Sequence, residues 1–291
     1  MENNKELVSK LLENGVQFGH KTAKFHPNMN PYVWGVRNGM HLIDLNKTAF
    51  LLNHASEQIQ KAASLGAQIL WIGTKKQAQK VISEVASELK QPYVIHRWIG
   101  GTLTNNDQIK KAVTKLLHMR DVVAKPLPHM KKKQISMISK DLERLEKNVS
   151  GIIKLKPKPD LLVVVDLKRE LTAIKEANMC GVPVICIADT NAQVSLVNTV
   201  IPANDDSQKS LDFVIRHLGE AAKRGYDAFK ETNPEAFAKS QENSERPQRT
   251  FEERRAPSAN KPAGNRRFGP NNGAGAARRP APGAPRKPAA K

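Results

Sequence analysis

Ten residues near the start of the chain, Phe18-Gly19-His20-Lys21-Thr22-Ala23-Lys24-Phe25-His26-Pro27, interleave cations with flat rings, and Tyr32, Trp34 and Arg37 follow soon after. Cations neutralise phosphates, while rings and guanidinium planes stack on unpaired bases, so this mixture carries the chemistry of RNA-loop recognition. A hydrophobic staple with a few surface lysines explains the rings but not their interleaving. His96-Arg97-Trp98-Ile99-Gly100-Gly101-Thr102-Leu103-Thr104-Asn105 repeats the mixture in a Gly-bearing loop. A third candidate, Gly73-Thr74-Lys75-Lys76, falls at a strand-to-helix turn, where backbone amides and a helix N-terminus attract phosphate. The candidate RNA-binding residues are therefore His20, Lys21, Lys24, Phe25, Arg37, Lys75, Lys76, Arg97, Trp98 and Asn105.

The same residues offer little to an enzyme. Gly73-Thr74-Lys75-Lys76 lacks the G-x-x-x-x-G-K-[ST] spacing of a phosphate loop, and neither G-x-G-x-x-G nor G-x-S-x-G occurs. A nucleotide site, an RNA-backbone contact and a plain solvated helix start all fit that turn; the RNA contact needs only its local geometry. Asp166 and Asp189 end neighbouring strands, where α/β enzymes place carboxylates, but strand termination and turn capping explain them more simply. None of the 8 histidines stands at H-x-x-x-H or H-E-x-x-H spacing. His20 and His26, or His41 and His54, could meet only through the fold, and structural or RNA-stacking roles are the simpler reading. The expectation is no catalytic residue, no metal, no cofactor and no small-molecule substrate.

Positioning these segments requires a scaffold, and its outline is legible. Gln68–Gly73, Tyr93–Ile95, Leu161–Asp166, Pro183–Ala188 and Asn198–Ile201 read as strands, with a helix from Lys75 to Leu89 and another reaching Ala177. Their hydrophobicity is continuous rather than alternating, which predicts a parallel sheet covered on both faces by helices. Asp205-Asp206-Ser207 offers N-caps to a last helix with Leu211, Val214, Ile215 and Leu218 on one face. Residues 105–149 break this alternation, with two helical patterns around Pro126-Leu127-Pro128. Ile135, Ile138, Leu142, Leu145 and Val149 follow a heptad seam, which predicts an antiparallel coiled-coil hairpin projecting from the sheet; the alternative is two ordinary surface helices.

Charge and composition narrow the partner. The chain holds 47 Lys/Arg against 28 Asp/Glu, a formal +19 over 291 residues, which calls for an anionic partner. Residues 244–291 carry 12 Lys/Arg and 3 Asp/Glu among Pro, Gly and Ala, too little apolar surface to offset ordering entropy, so residues 241–291 are expected to be a disordered tail after an α/β domain spanning 1–230. The two cysteines, Cys180 and Cys186, suggest no disulfide framework and fit a reducing cytosol. No stretch approaches ~18 apolar residues and the start lacks a signal or transit pattern, so a cytoplasmic protein with no membrane partner is expected.

Read together in order, the motifs resemble a known family. Leu12-Glu13-Asn14-Gly15-Val16-Gln17-Phe18-Gly19-His20, Arg37-Asn38-Gly39, Ile43-Asp44-Leu45, Gly73-Thr74-Lys75-Lys76-Gln77 and Arg97–Asn105 are similar to motifs of the bacterial small-subunit ribosomal protein S-two family. Pro159 through Asp166, Glu170 and Glu176 to Gly181-Val182-Pro183 resembles its second signature, followed by Asp189-Thr190-Asn191 and Ile201–Asp206. The resemblance covers about residues 7–220. It implies a flavodoxin-like sheet with a protruding coiled-coil hairpin and a seat between head and body of the small subunit. It also implies small-subunit rRNA and neighbouring ribosomal proteins as partners, with a role in docking ribosomal protein S-one. Gln17 stands where the family usually has His, Gln193-Val194 replaces Asp-Pro, and the Pro/Arg tail is not a family feature. A nucleotide-using α/β enzyme with a basic localising tail, and an RNA chaperone acting through that tail, are the rival readings.

Overall fold

The computed structural model describes residues 2–126 and 130–234; the tail expected over 241–291, and Leu127-Pro128 of the interhelical link, lie outside them. Five strands, β4 (Ile69–Ile72), β5 (Tyr93–Val94), β6 (Leu161–Val165), β7 (Val184–Ala188) and β8 (Thr199–Pro202), form a parallel sheet in the order β5-β4-β6-β7-β8. Counted from β4, that order is the 2-1-3-4-5 of flavodoxin-like folds, with its switch point between β4 and β6. The unbroken apolar runs are fully buried because successive residues feed opposite cores. Trp71, Leu161, Val163, Val165 and Ile187 join one core with α2 (Leu45–Ser64), α3 (Lys76–Glu88) and α7 (Gln208–Thr232). Leu70, Ile72, Leu162, Val164 and Cys186 join the other, with α6 (Leu171–Cys180), α4 (Asn106–Ala124) and α5 (Lys132–Val149).

α4 and α5 are the two helices of the expected hairpin, linked by Arg120, whose Nε donates to Glu146 Oε1 at 2.7 Å. Along the α5 seam Ile135, Ile138 and Leu145 are half-buried, Leu142 is 9% exposed and Val149, at the end nearest the sheet, 1%. The base is fitted closely, since a Cβ on Gly151 would stand 2.2 Å from the Tyr93 carbonyl oxygen at the sheet edge.

Ahead of the parallel sheet stands an element that the sequence patterns did not announce. Helix α1 (Glu2–Glu13) leads into an antiparallel sheet of β1 (Phe18–Lys21), β2 (Val33–Arg37) and β3 (Met40–Ile43), ordered β1-β3-β2. The loops flanking this sheet are tied to the C-terminal ends of β7 and β8, where His26 N donates to the Thr190 carbonyl at 2.9 Å and Asn204 N to the Val16 carbonyl at 3.1 Å. Helix α2, which follows β3, adds a bond from Thr48 Oγ1 to the Pro202 carbonyl at 2.7 Å. The basic-aromatic segment is thus a small sheet docked on the end of the large one.

Candidate functional site at the carboxyl end of the sheet

Four strands of the parallel sheet end in polar residues. β4 runs into Thr74-Lys75, β6 into Asp166, β7 into Asp189-Thr190 and β8 into Asn204-Asp205-Asp206. β1 lays His20 against them. That approach depends on Gly19, where a Cβ would stand 2.6 Å from Thr190 Cγ2 and 3.1 Å from Asp189 Oδ1. The His20 amide donates to Thr190 Oγ1 at 3.0 Å, its Nδ1 lies 2.8 Å from Asp189 Oδ2, and its Nε2 lies 3.4 Å from Asp206 Oδ2.

Lys75 is enclosed by carboxylates. Its Nζ is 2.7 Å from Asp205 Oδ1, 2.6 Å from Asp206 Oδ1 and 3.7 Å from Asp166 Oδ2, with 11% of the side chain exposed. Burial works against its charge, but the Asp205 and Asp206 carboxylates overcome that and hold its pKa above the ordinary lysine value. Asp205 is 1% exposed, and burial together with the charges of Asp166 and Asp189 pushes it up to about 7. Asp206 is opposed by burial yet held below the ordinary value by Lys75. His20 is raised by Asp189 against the effect of its own burial.

The two strand-terminal aspartates also hold the turns that follow them. Asp166, at φ 66°, accepts from Arg169 N at 3.1 Å, and Asp189 Oδ1 accepts from Thr190 N. Beside them Glu170, raised by burial, accepts from the amide and hydroxyl of Thr74, and Arg169 Nε donates to the same hydroxyl at 2.7 Å. The place where an α/β enzyme would receive a nucleotide phosphate is lined by carboxylates and so repels one.

The other candidate residues divide into inward and outward groups. Trp98 is 8% exposed, and its Nε1 donates to Glu176 Oε1 at 3.0 Å. The same buried carboxylate accepts from Gly101 N at 2.8 Å and Leu103 N at 3.1 Å, so it templates the Gly-bearing loop. Phe25 is half-buried and stacked on His41, ring centroids 4.3 Å apart. Asn105 occupies the N-cap position of α4 without a side-chain cap bond, and its backbone N–H donates to the Gly101 carbonyl at 2.8 Å. Lys21, Lys24, Arg37, Lys76 and Arg97 are exposed, and none forms an ion pair among the described residues. Trp34, 75% exposed on β2, is an open ring that the candidate set omits although it stands three residues from Arg37. His20 and His26, or His41 and His54, could meet only through the fold, and the fold brings His20 to three aspartates instead. His26 caps the turn at Pro27 and His41 packs on Phe25.

Comparison with known proteins agrees with this architecture. The family model for ribosomal protein S2 matches residues 11–225. The small ribosomal subunit protein uS2c of Porphyra purpurea is 41% identical over 219 residues, covering 75% of this chain and 91% of the relative. The uS2 protein of Amoebophilus asiaticus is 40% identical over 216 residues, 74% of this chain and 69% of the relative. That of Cytophaga hutchinsonii is 38% identical over 237 residues, 81% and 93%. The matched span contains both sheets, the hairpin and the carboxyl-end cluster, and on that ground the chain belongs to the ribosomal protein S2 family.

Proposed function

We propose that this chain holds its place in the small ribosomal subunit by binding rRNA between head and body through the exposed cations of its two basic-aromatic segments. That it is a structural constituent of the small ribosomal subunit, and not an enzyme, follows from its family. Its place in the cell is therefore the ribosome, and no helix among the described residues is long and apolar enough to cross a membrane.

The observation that carries the reading is the division of charge. Lys75 is neutralised internally, whereas Lys21, Lys24, Arg37, Lys76 and Arg97 stand exposed without an acidic partner among the described residues. Unpaired cations on ordered backbone match one arrangement of phosphates, and Phe25 and Trp34 add rings for unpaired bases. His20, Lys75, Trp98 and Asn105 support that surface from beneath. Replacing Lys21, Lys24, Arg37 and Arg97 together by Gln should abolish incorporation into small subunits in a reconstitution followed by sedimentation, with the melting temperature unchanged. Each lost phosphate contact should flatten the plot of log affinity against log salt by roughly 0.7–0.9. Normal assembly of the quadruple variant overturns the assignment.

The hairpin over 105–149 is proposed to project from the body, which the half-buried Ile135 and Ile138, at the end of the seam away from the sheet, support. Leu142→Asp should then remove α4–α5 helicity and leave the sheet's cooperative transition in place; loss of both together argues for helices packed on the main core. Docking of ribosomal protein S-one is proposed from the family resemblance. Subunits reconstituted without this chain should retain less S-one by immunoblot.

A further inference from the structure

We propose that His20, Asp189, Asp205 and Asp206 form a binding site for one divalent transition-metal ion of the zinc type, which ties the N-terminal sheet to the carboxyl end of the parallel sheet. One ligand atom from each of the four residues lies within 4.8 Å of all the others. Donor atoms around a tetrahedral ion with bonds of ~2.0–2.2 Å lie roughly 3.3–3.6 Å apart, so the widest separation in the set must close by about an ångström on binding, within reach of the exposed Asp206 side chain.

A cluster of acids does not by itself make a site, and two further observations point to a ligand. Asp205 is 1% exposed and its Oδ1 is taken by Lys75, yet its Oδ2 is buried and meets no hydrogen-bond donor. A buried carboxylate oxygen left this way costs the fold unless something fills its lone pairs. Second, His20 Nδ1 and Asp189 Oδ2 are 2.8 Å apart but are not aligned as a hydrogen bond. Two donor atoms held close without pointing at each other is the arrangement expected along one edge of a coordination shell.

Charge balance gives the same sign. Asp166, Asp189, Asp205 and Asp206 bring four formal negative charges, Lys75 returns one, and Arg169 and Glu170 cancel beside them. A ligating His20 is neutral, so three negative charges remain and one divalent ion neutralises two of them. An imidazole nitrogen among carboxylate oxygens selects zinc-like ions over magnesium, which prefers oxygen alone. Access is available, since Asp206 is 59% exposed and forms the outer lip. The four residues come from β1, the turn after β7 and the turn after β8, so a bound ion would link segments distant in the chain.

The test uses the full chain stripped with a chelator and titrated with Zn2+ or Co2+. The wild type should bind one ion per chain, and Co2+ should give the visible absorption of a low-coordinate site. Asp206→Asn, at an exposed position, and His20→Gln should each weaken binding by more than ~100-fold, beyond the ~10–100-fold typical of an outer-shell loss. His26→Gln, outside the cluster, should bind as wild type. Thermal melts of the stripped variants verify that they fold. Wild-type binding no tighter than that of His20→Gln, or a Co2+ spectrum identical to the hydrated ion, overturns the proposal and leaves Lys75 and protonated His20 as the only counter-ions. Equal binding of Mg2+ that survives His20→Gln overturns it as well, because the histidine is then not a ligand.

Discussion

The carboxyl end of the parallel sheet and the basic-aromatic segments beside it treat charge in opposite ways. At the sheet end, Asp166, Asp205 and Asp206 surround Lys75, whose side chain is 11% exposed. A few residues away, Lys21 and Arg37 stand on a thin antiparallel sheet and Lys24 on the turn after β1, all exposed and forming no ion pair among the described residues. In a chain of formal +19, the point where its fold class binds phosphates is acidic, and the exposed cations proposed to meet phosphate lie outside it. Local placement, rather than net charge or fold, decides which cations are available to an anionic partner.

The strongest way to break that comparison is Lys75→Met. Without the ammonium, Asp205 and Asp166 face each other in a poorly hydrated setting with no counter-charge from α3. Removing one partner of a buried ion pair costs ~3–5 kcal/mol, and the low end applies because Asp206 remains in water. Urea denaturation of the metal-free chain should therefore show a loss of about 3 kcal/mol. An unchanged midpoint would mean that the carboxylates are neutralised by protons and that Lys75 is free to serve RNA.

A smaller effect should follow from Glu176→Gln, which probes how the outward cations are held. Glu176 is 7% exposed and accepts from Trp98 Nε1, Gly101 N and Leu103 N, so one inward carboxylate positions the loop that carries Arg97 outside. The amide keeps one acceptor oxygen and turns a donor toward donors, at a cost of ~1–3 kcal/mol. Hydrogen exchange over residues 98–105 should accelerate while the parallel strands stay protected. Uniform loss of protection would show that the loop is part of the main cooperative unit.

The parallel sheet was legible because Leu161–Val165 and Val184–Ala188 are apolar on both faces, a pattern that a covered parallel strand produces and few other elements do. The hairpin was legible through the α5 heptad spacing. β1 to β3 were not, since strands of four or five residues with Lys21, Trp34 and Arg37 in the open carry no clean alternation. The acidic cluster was hidden for a different reason. Its members lie at positions 20, 75, 166, 189, 205 and 206, and no local spacing joins them. Lys75 matched a phosphate contact by its strand-to-helix turn, but carboxylates 130 residues away in sequence captured it. The available signal was the strand-end rule applied jointly: aspartates follow β6, β7 and β8, and sheet order makes those ends neighbours.

The smallest effect concerns two histidines whose surroundings pull them apart. His20, beside Asp189, is raised above the ordinary imidazole value. His217 on α7 stacks on Phe213 and is lowered, first by its burial and then by the charges of Arg224 and Lys10, with Glu220 opposing. Glu6, Asp212 and Arg216 line the same groove between α1 and α7. For His217 the native state binds fewer protons than the unfolded chain just below the free-histidine pKa of ~6.5, so stability must fall as pH drops through that value. Above it the imidazole is neutral in both states and adds no slope. His217→Gln should therefore flatten the decline in melting temperature between pH 7.5 and pH 5.5 while leaving the pH 7.5 value nearly unchanged, the other groups being common to both chains. An identical decline in the variant would assign the pH dependence elsewhere and remove the contrast between a histidine raised by a neighbouring carboxylate and one lowered by burial.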